Sequence, residues 1–181
     1  MARYRRSRWR EFITVAVVLL LVAFRWWSDG ATLDARPAGA GAGGLEPGVY
    51  EVDRVVDGDT LILSSRRLRV RLQGVNSPET VKPESPVEPW GPEASDFTKQ
   101  FIRDAKGFVR VEIDGEPMDQ HGRHLAFLWD GDRLLNEELV RNGLARARLH
   151  YDFSEWKKER LRRAQRDAKR NEVGIWSRSA R

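Results

Sequence analysis

Hydrophobic and polar positions change their rhythm three times along this 181-residue chain. Residues 12–24 are almost wholly apolar and are followed by Arg25-Trp26-Trp27. Residues 28–47 lose periodicity in a run of Gly, Ala and Pro, which reads as a flexible linker. From Gly48 the pattern is that of a folded domain. Val49–Val56, Thr60–Leu63, Leu68–Val75, Val109–Ile113 and His124–Trp129 are rich in β-branched and aromatic residues between turn signals, and predict five strands. Within the third, Arg67, Arg69 and Arg71 alternate with aliphatics, so the arginines share the face opposite the core. Pro78, Pro83, Pro86, Pro89 and Pro92 are five of the eight prolines and predict a loop. Pro92 suits a first helical turn, and Ala94, Phe97, Phe101 and Ala105 continue one apolar face as far as Gly107. Leu135–Asn142 predicts a short helix. Ser154 stands where it can cap a last one, with Leu161, Ala164 and Ala168 as its stripe. Strands grouped first, with three helices, predict an α+β barrel with the helices outside it.

The apolar run decides the organisation. Five arginines precede it and two, Arg25 and Arg36, follow soon after it. By the positive-inside rule this makes residues 1–11 a basic cytoplasmic tail and exports the chain beyond the run. Residues 12–27 are either a transmembrane helix or a cleaved signal sequence. A run of thirteen residues, apolar but for Thr14, suits a signal core, whereas Arg25, Trp26 and Trp27 extend a span to the membrane interface. The small-residue pattern Ala38-Gly39-Ala40 lies far beyond the core and favours an uncleaved anchor. The expected organisation is therefore tail, membrane segment 12–27, linker 28–47 and one domain at 48–177, extracytoplasmic and monomeric.

Charge adds less than its total suggests. The net charge is +5, but residues 45–181 carry 25 basic and 24 acidic side chains, a net of +1. Only the stretch from Ser154 onward, with ten basic and four acidic residues, stands out; it suits a polyanion or a solvated helix face equally. No cysteine is present, which excludes disulfides and thiolate metal sites.

Three polar segments interrupt the strands. Asp57-Gly58-Asp59-Thr60 is by itself a hairpin turn. Arg71 to Glu79 is a strand running into a proline turn, and Asp119-Gln120-His121-Gly122-Arg123 a solvated turn. Taken together they hold what phosphodiester hydrolysis requires: oxygen ligands for a hard cation (Asp59, Asn76), planar donors for phosphate (Arg71, Arg123) and a carboxylate for water (Glu79). His121 and His124 have no evident third partner for zinc. Trp129, Trp156 and Trp176 read as core and staple residues, and Asp114 and Asp119 as turn acids.

Val56-Asp57-Gly58-Asp59-Thr60, Arg71-Leu72 with Ser77-Pro78-Glu79, Gly122-Arg123-x-Leu125-Ala126, and Asn136-Glu137-x-Leu139-Val140-x-x-Gly143-Leu144-Ala145 stand in one order. In that order, and in a C-terminal helix closing on Ile175-Trp176, the chain from residue 48 to about 177 resembles staphylococcal nuclease domains. The resemblance implies a five-stranded OB-fold barrel with three helices. It implies a Ca²⁺-dependent nuclease that cuts DNA and RNA on the 5′ side of the phosphorus and leaves 3′-phosphates. It further implies that Asp59 and the Ser77 carbonyl hold calcium with Thr60 nearby, that Arg71 and Arg123 grip the phosphate, and that Glu79 acts on the attacking water. This sequence departs from the pattern at Asn76, where the family has a second metal carboxylate. It departs again at His121 and Leu149, where the family has nucleotide-contacting tyrosines; Tyr151 keeps a third. A competing reading is a tethered OB-type module without catalysis, with Asn76 marking a decayed site, or a membrane-bound scaffold. Retention of Arg71, Arg123 and Glu79 separates the nuclease from these, because an idle buried charge is costly.

Overall fold

The structure is a computed structural model that describes residues 44–80 and 87–177. The basic tail, the 12–27 segment and nearly all of the proposed linker lie outside the described residues. Among the described residues no helix is long and apolar enough to cross a membrane.

Five strands form the barrel: β1 (Gly48–Asp57), β2 (Thr60–Leu63), β3 (Arg69–Leu72), β5 (Phe108–Glu112) and β6 (His124–Asp130). β1 lies antiparallel between β2 and β5, β2 pairs with β3, and β5 with β6. The sheet closes on itself through a parallel pairing of β3 with β6, register Val70↔His124, Arg71↔Leu125 and Leu72↔Ala126. Closure leaves no free edge on the central strands. Alternation does the rest: Leu61, Leu63, Val70, Leu72, Val109, Val111, Ala126 and Leu128 fill the interior and are essentially inaccessible. Leu45, in the stretch read as linker, is also buried in this core.

The expected strand Leu68–Val75 is two strands. β3 stops at Leu72, and β4 (Val75–Asn76) leaves the barrel to pair with β8 (Arg146–Ala147). Gly74 makes the break, with φ of +75°; a side chain there would stand 2.9 Å from both Leu161 and Phe153. Arg67 lies in a 3₁₀ turn (Ser65–Arg67) before β3, so the arginine face of the strand is Arg69, exposed, and Arg71, half-buried.

The three helices are α1 (Gly91–Asp104), α2 (Leu135–Arg141), which comes directly after a short β7 (Arg133–Leu134), and α3 (Glu155–Arg170). α1 buries Ala94, Phe101 and Ile102, with Phe97 and Ala105 only half covered. Asn136 fastens α2 to the closure point of the barrel. Its Nδ2 donates to the carbonyls of Gln73 (2.8 Å) and Ala126 (3.3 Å), and its Oδ1 accepts the Leu128 N–H (3.1 Å). Buried Glu137 accepts from Arg160 Nε (2.6 Å) and ties α2 to α3. On α3, Leu161, Ala164 and Ala168 face inward as the pattern predicts, and so does Lys157. Ser154 occupies the capping position, but its hydroxyl donates to Asp114 Oδ2 (2.6 Å) rather than to the helix. Trp129 is buried and Trp176 half-buried. Trp156 corrects the expectation of a core residue: it is 50% exposed, with its ring stacked 6.3 Å from that of Trp129.

Candidate active site

The Asp-Gly-Asp-Thr segment is the turn between β1 and β2, with Asp57 paired to Thr60. It is packed, not solvated: Asp57, Gly58, Asp59 and Thr60 are all buried. A side chain at Gly58 would lie 2.6 Å from Ala94 of α1 and 2.9 Å from Ser77 Cβ, so only glycine lets the turn seat between them. Thr98 of α1 donates to the Gly58 carbonyl (2.6 Å). The Asp59 N–H donates to Asp57 Oδ1 (3.2 Å), an arrangement that orients the second carboxylate inward.

Asp59 Oδ2 accepts the Ser77 N–H (2.7 Å), and Oδ1 accepts the Thr60 hydroxyl (3.2 Å) and Arg71 Nη1. Arg71 Nη2 donates to Asn76 Oδ1 (2.8 Å). Thus one guanidinium joins the side-chain oxygens of Asp59 and Asn76. Burial pushes the Asp59 carboxyl up to about 7, against the pull of Arg71, with Asp57 adding to the rise. A carboxyl so raised is under-compensated as an anion, and further positive charge at its oxygens lowers its energy. The side-chain donor set that the structure brings together is a carboxylate and an amide oxygen, Asp59 and Asn76, with the Ser77 backbone hydrogen-bonded to the carboxylate. This is the hard oxygen chemistry that suits calcium or magnesium and not a soft metal. Among the described residues no cluster of three or more His, Cys, Asp or Glu forms a carboxylate cage, so a cation here would rely on neutral oxygens for part of its shell.

Arg123 stands at the end of the loop into β6. Asp119 accepts from its Nε (2.7 Å) and from its backbone N–H (3.0 Å), and also from the N–H of His121 (2.8 Å). Burial opposes ionisation of Asp119, but these hydrogen bonds outweigh it and hold the carboxyl below its usual value of 3.8. The pairing uses Nε and leaves the two Nη groups for another acceptor. Asp119 is therefore the clamp of Arg123, more than the turn acid its sequence suggests. Its position four residues before the arginine is the only signal the chain gives.

Arg71, Asn76, His121, Arg123 and Tyr151 line one cavity of about 510 Å³ between the β3–β4 break and the two loops. The expected residues of three separate segments thus meet. Asp59 and Ser77 sit buried behind Arg71 and Asn76. Glu79 is not in the cavity wall: its Oε1 accepts the Thr80 N–H (3.0 Å), and its own N–H donates to Glu88 Oε2 (3.2 Å). Arg148 and His150 also line the cavity and were not singled out by sequence, since nothing in a short β8 and the loop after it marks them. Leu149 packs against the core instead. The basic stretch of α3 is largely paired with acids, within the helix or on neighbouring elements: Lys157 with Glu112 and Asp114, Arg160 with Glu137, Arg162 and Arg166 with Glu159, Arg170 with Asp167.

Known proteins resemble this chain over the same barrel and helices. The family model described as staphylococcal nuclease homologue matches residues 69–178. A thermonuclease of Staphylococcus hyicus is 38% identical over 168 residues, covering 91% of this chain and 98% of the relative. A thermonuclease of Staphylococcus intermedius is 44% identical over 131 residues, 71% of this chain and 76% of the relative. Endonuclease YncB of Bacillus subtilis (strain 168) is 34% identical over 131 residues, 71% of this chain and 61% of the relative. With a matched model over more than half its length and relatives alike across the barrel and helices, the chain belongs to the staphylococcal nuclease family.

Proposed function

We propose that this chain is a calcium-dependent nuclease that hydrolyses phosphodiester bonds of DNA and/or RNA and leaves 3′-phosphates. The observation that carries this reading is the convergence of Arg71 and Arg123 on one cavity whose wall also presents Asn76, with Asp59 directly behind. Two guanidiniums on the wall of one space suit the equatorial oxygens of a phosphate passing to a trigonal bipyramid. Asp59, Asn76 and the Ser77 carbonyl would hold the cation, which when bound supplies Lewis-acid polarisation of the phosphoryl group. Arg71 then exchanges Asp59 and Asn76 for the phosphate, and Arg123 meets it with its free Nη groups while Asp119 keeps Nε. Glu79, which stands outside the cavity wall in this arrangement, would swing from the Thr80 N–H to the attacking water and take its proton. The new bond is water oxygen to phosphorus, and the bond to the 5′ oxygen breaks; that oxygen takes a proton from solvent and leaves as a 5′-hydroxyl on the departing strand. His121 and Tyr151 flank the nucleotide.

The arginines before the 12–27 segment and the linker after it support a membrane-anchored monomer with its domain outside the cytoplasm, or a secreted one if that segment is removed. The test is cleavage of single-stranded DNA by the full chain with calcium and with chelator. Calcium-dependent cleavage is expected, with Arg71→Lys and Arg123→Lys each losing at least about 100-fold, because a point charge does not replace a fork. Near-normal cleavage by either variant, or cleavage indifferent to calcium, refutes the reading.

A further inference from the structure

A second cavity, of about 210 Å³, opens on the other side of Asn76 and is lined by Asn76, Pro78, Glu88, Pro89, Trp90, Arg146 and Ile175. Asn76 lines both cavities, so they flank one short strand, β4. Three features of the second cavity go beyond packing. Trp90 holds a left-handed backbone, φ of 71°, at the start of α1, and makes no side-chain hydrogen bond to cap it. A bulky residue in that region is costly, and such strain collects where a side chain must be displayed. Arg146 lies directly opposite Asn76 in the β4–β8 pair, so the two side chains share a face; its guanidinium rests 4.5 Å from the centroid of the Trp176 ring, which holds it in place. Pro78, Pro89 and Ile175 supply apolar walls, and the Glu88 carboxylate makes the interior hostile to phosphate.

From this arrangement we infer that the second cavity is a subsite for one unstacked base of the substrate strand, next to the nucleotide whose phosphate lies at Arg71 and Arg123. The inference rests on the nuclease reading above. Trp90, half-buried against the core, turns its remaining face to the cavity as a stacking surface, Pro78, Pro89 and Ile175 flank it, and Arg146 at the rim meets the phosphate on one side of that base. Glu88 turns the phosphate outward and accepts from an exocyclic amine. A base paired and stacked in a duplex cannot enter, so the subsite favours single strands.

The experiment measures kcat/KM of the full chain, with calcium, on single-stranded oligonucleotides of increasing length from a dinucleotide, and on a duplex of the same sequence. Trp90→Gly removes the ring while suiting the positive φ, and Trp90→Phe keeps a ring. The expected result is a gain with length in the wild type that Trp90→Gly loses by about tenfold or more, on the scale of one base stack. Trp90→Phe recovers most of it, and the preference for single strand over duplex narrows in the Gly variant. Equal length dependence in wild type and Trp90→Gly overturns the subsite. Anisotropy of a labelled oligonucleotide, bound without divalent cation, separates the two readings. If the wild type cleaves nothing yet Trp90→Gly binds more weakly, the nuclease reading fails and the subsite stands; if both bind alike, the subsite fails.

Discussion

At the scale of single residues the site is defined by how its charges are compensated. Asp59 has burial against it and one guanidinium for it, and Asn76 contributes an oxygen without a charge. Two unit charges ~4 Å apart interact by ~4 kcal/mol at an effective dielectric of about 20, and the amide dipole and easier desolvation recover much of that. With Asn76 in the proposed metal shell, the net loss against a carboxylate would be about 1–3 kcal/mol, or roughly ten- to a hundredfold in cation affinity. Asn76→Asp is therefore expected to lower the calcium concentration for half-maximal cleavage. Calcium titration of both proteins checks it, and a requirement that stays equal or rises removes Asn76 from the metal shell. Asp119 acts through Arg123. Its Oδ2 fixes Nε, so Asp119→Ala is expected to cost up to about 100-fold in kcat with the fold retained, the usual penalty for a donor displaced by about an ångström. Asp119→Asn, which keeps one acceptor, should fall between the two.

Element by element, the features legible in the sequence are those that local pattern controls. Period-two aliphatics mark the five barrel strands, and the stripe Leu161, Ala164 and Ala168 marks α3, because burial selects residues directly. The break at Gly74 was hidden: Leu72 to Val75 reads as continuous strand, and only the neighbours Phe153 and Leu161, about 80 residues away, forbid a side chain there. The site divided in the same way. Arg71, Arg123 and Asp59 stand in recognisable motifs, whereas Asp119, Arg148 and Glu88 matter through partners that the chain's order does not reveal. Lys157 is the plainest case. It sits in a run of basic residues yet is 1% exposed, donating to Glu112 Oε1 (2.7 Å) and to Asp114, under the ring of Phe127. It pins α3 to the end of β5. Lys157→Met is expected to destabilise the domain by about 3 kcal/mol, the lower end for breaking a buried pair, since both carboxylates keep some contact with water. Denaturant unfolding measures it. Asp114 gives a matching pH signature. Burial works against its ionisation, but hydrogen bonds from Lys157 and Ser154 and the Lys157 charge prevail, so its carboxyl titrates below 3.8. The folded chain then binds this proton less readily than the unfolded one. Its stabilisation is complete above about pH 4 and fades as the pH falls further. Asp114→Asn should flatten that acid limb of the stability curve; an unchanged limb would mean the pair is idle.

For the whole molecule, the proposed cation site with Asn76 in its shell and the proposed export would account for each other. A cytosolic protein with one carboxylate and neutral oxygens around its cation meets too little calcium to fill the site. Outside the cytoplasm, calcium modules work with dissociation constants on the order of 10⁻⁴–10⁻³ M, and a site lacking its second carboxylate still fills. On that proposal the same difference would protect the cell, since chain awaiting export would stay inactive toward the nucleic acid around it. The arginines before residue 12 and the linker up to residue 47 lead to two expected outcomes. A reporter that works only outside the cytoplasm, fused after Arg181, should be active. And the full chain should cleave single-stranded DNA at millimolar calcium but not at the micromolar level or below. A reporter that works only in the cytoplasm would reverse the topology. Full cleavage at micromolar calcium would show that Asn76 costs the site nothing, and the link between location and affinity would be lost with it.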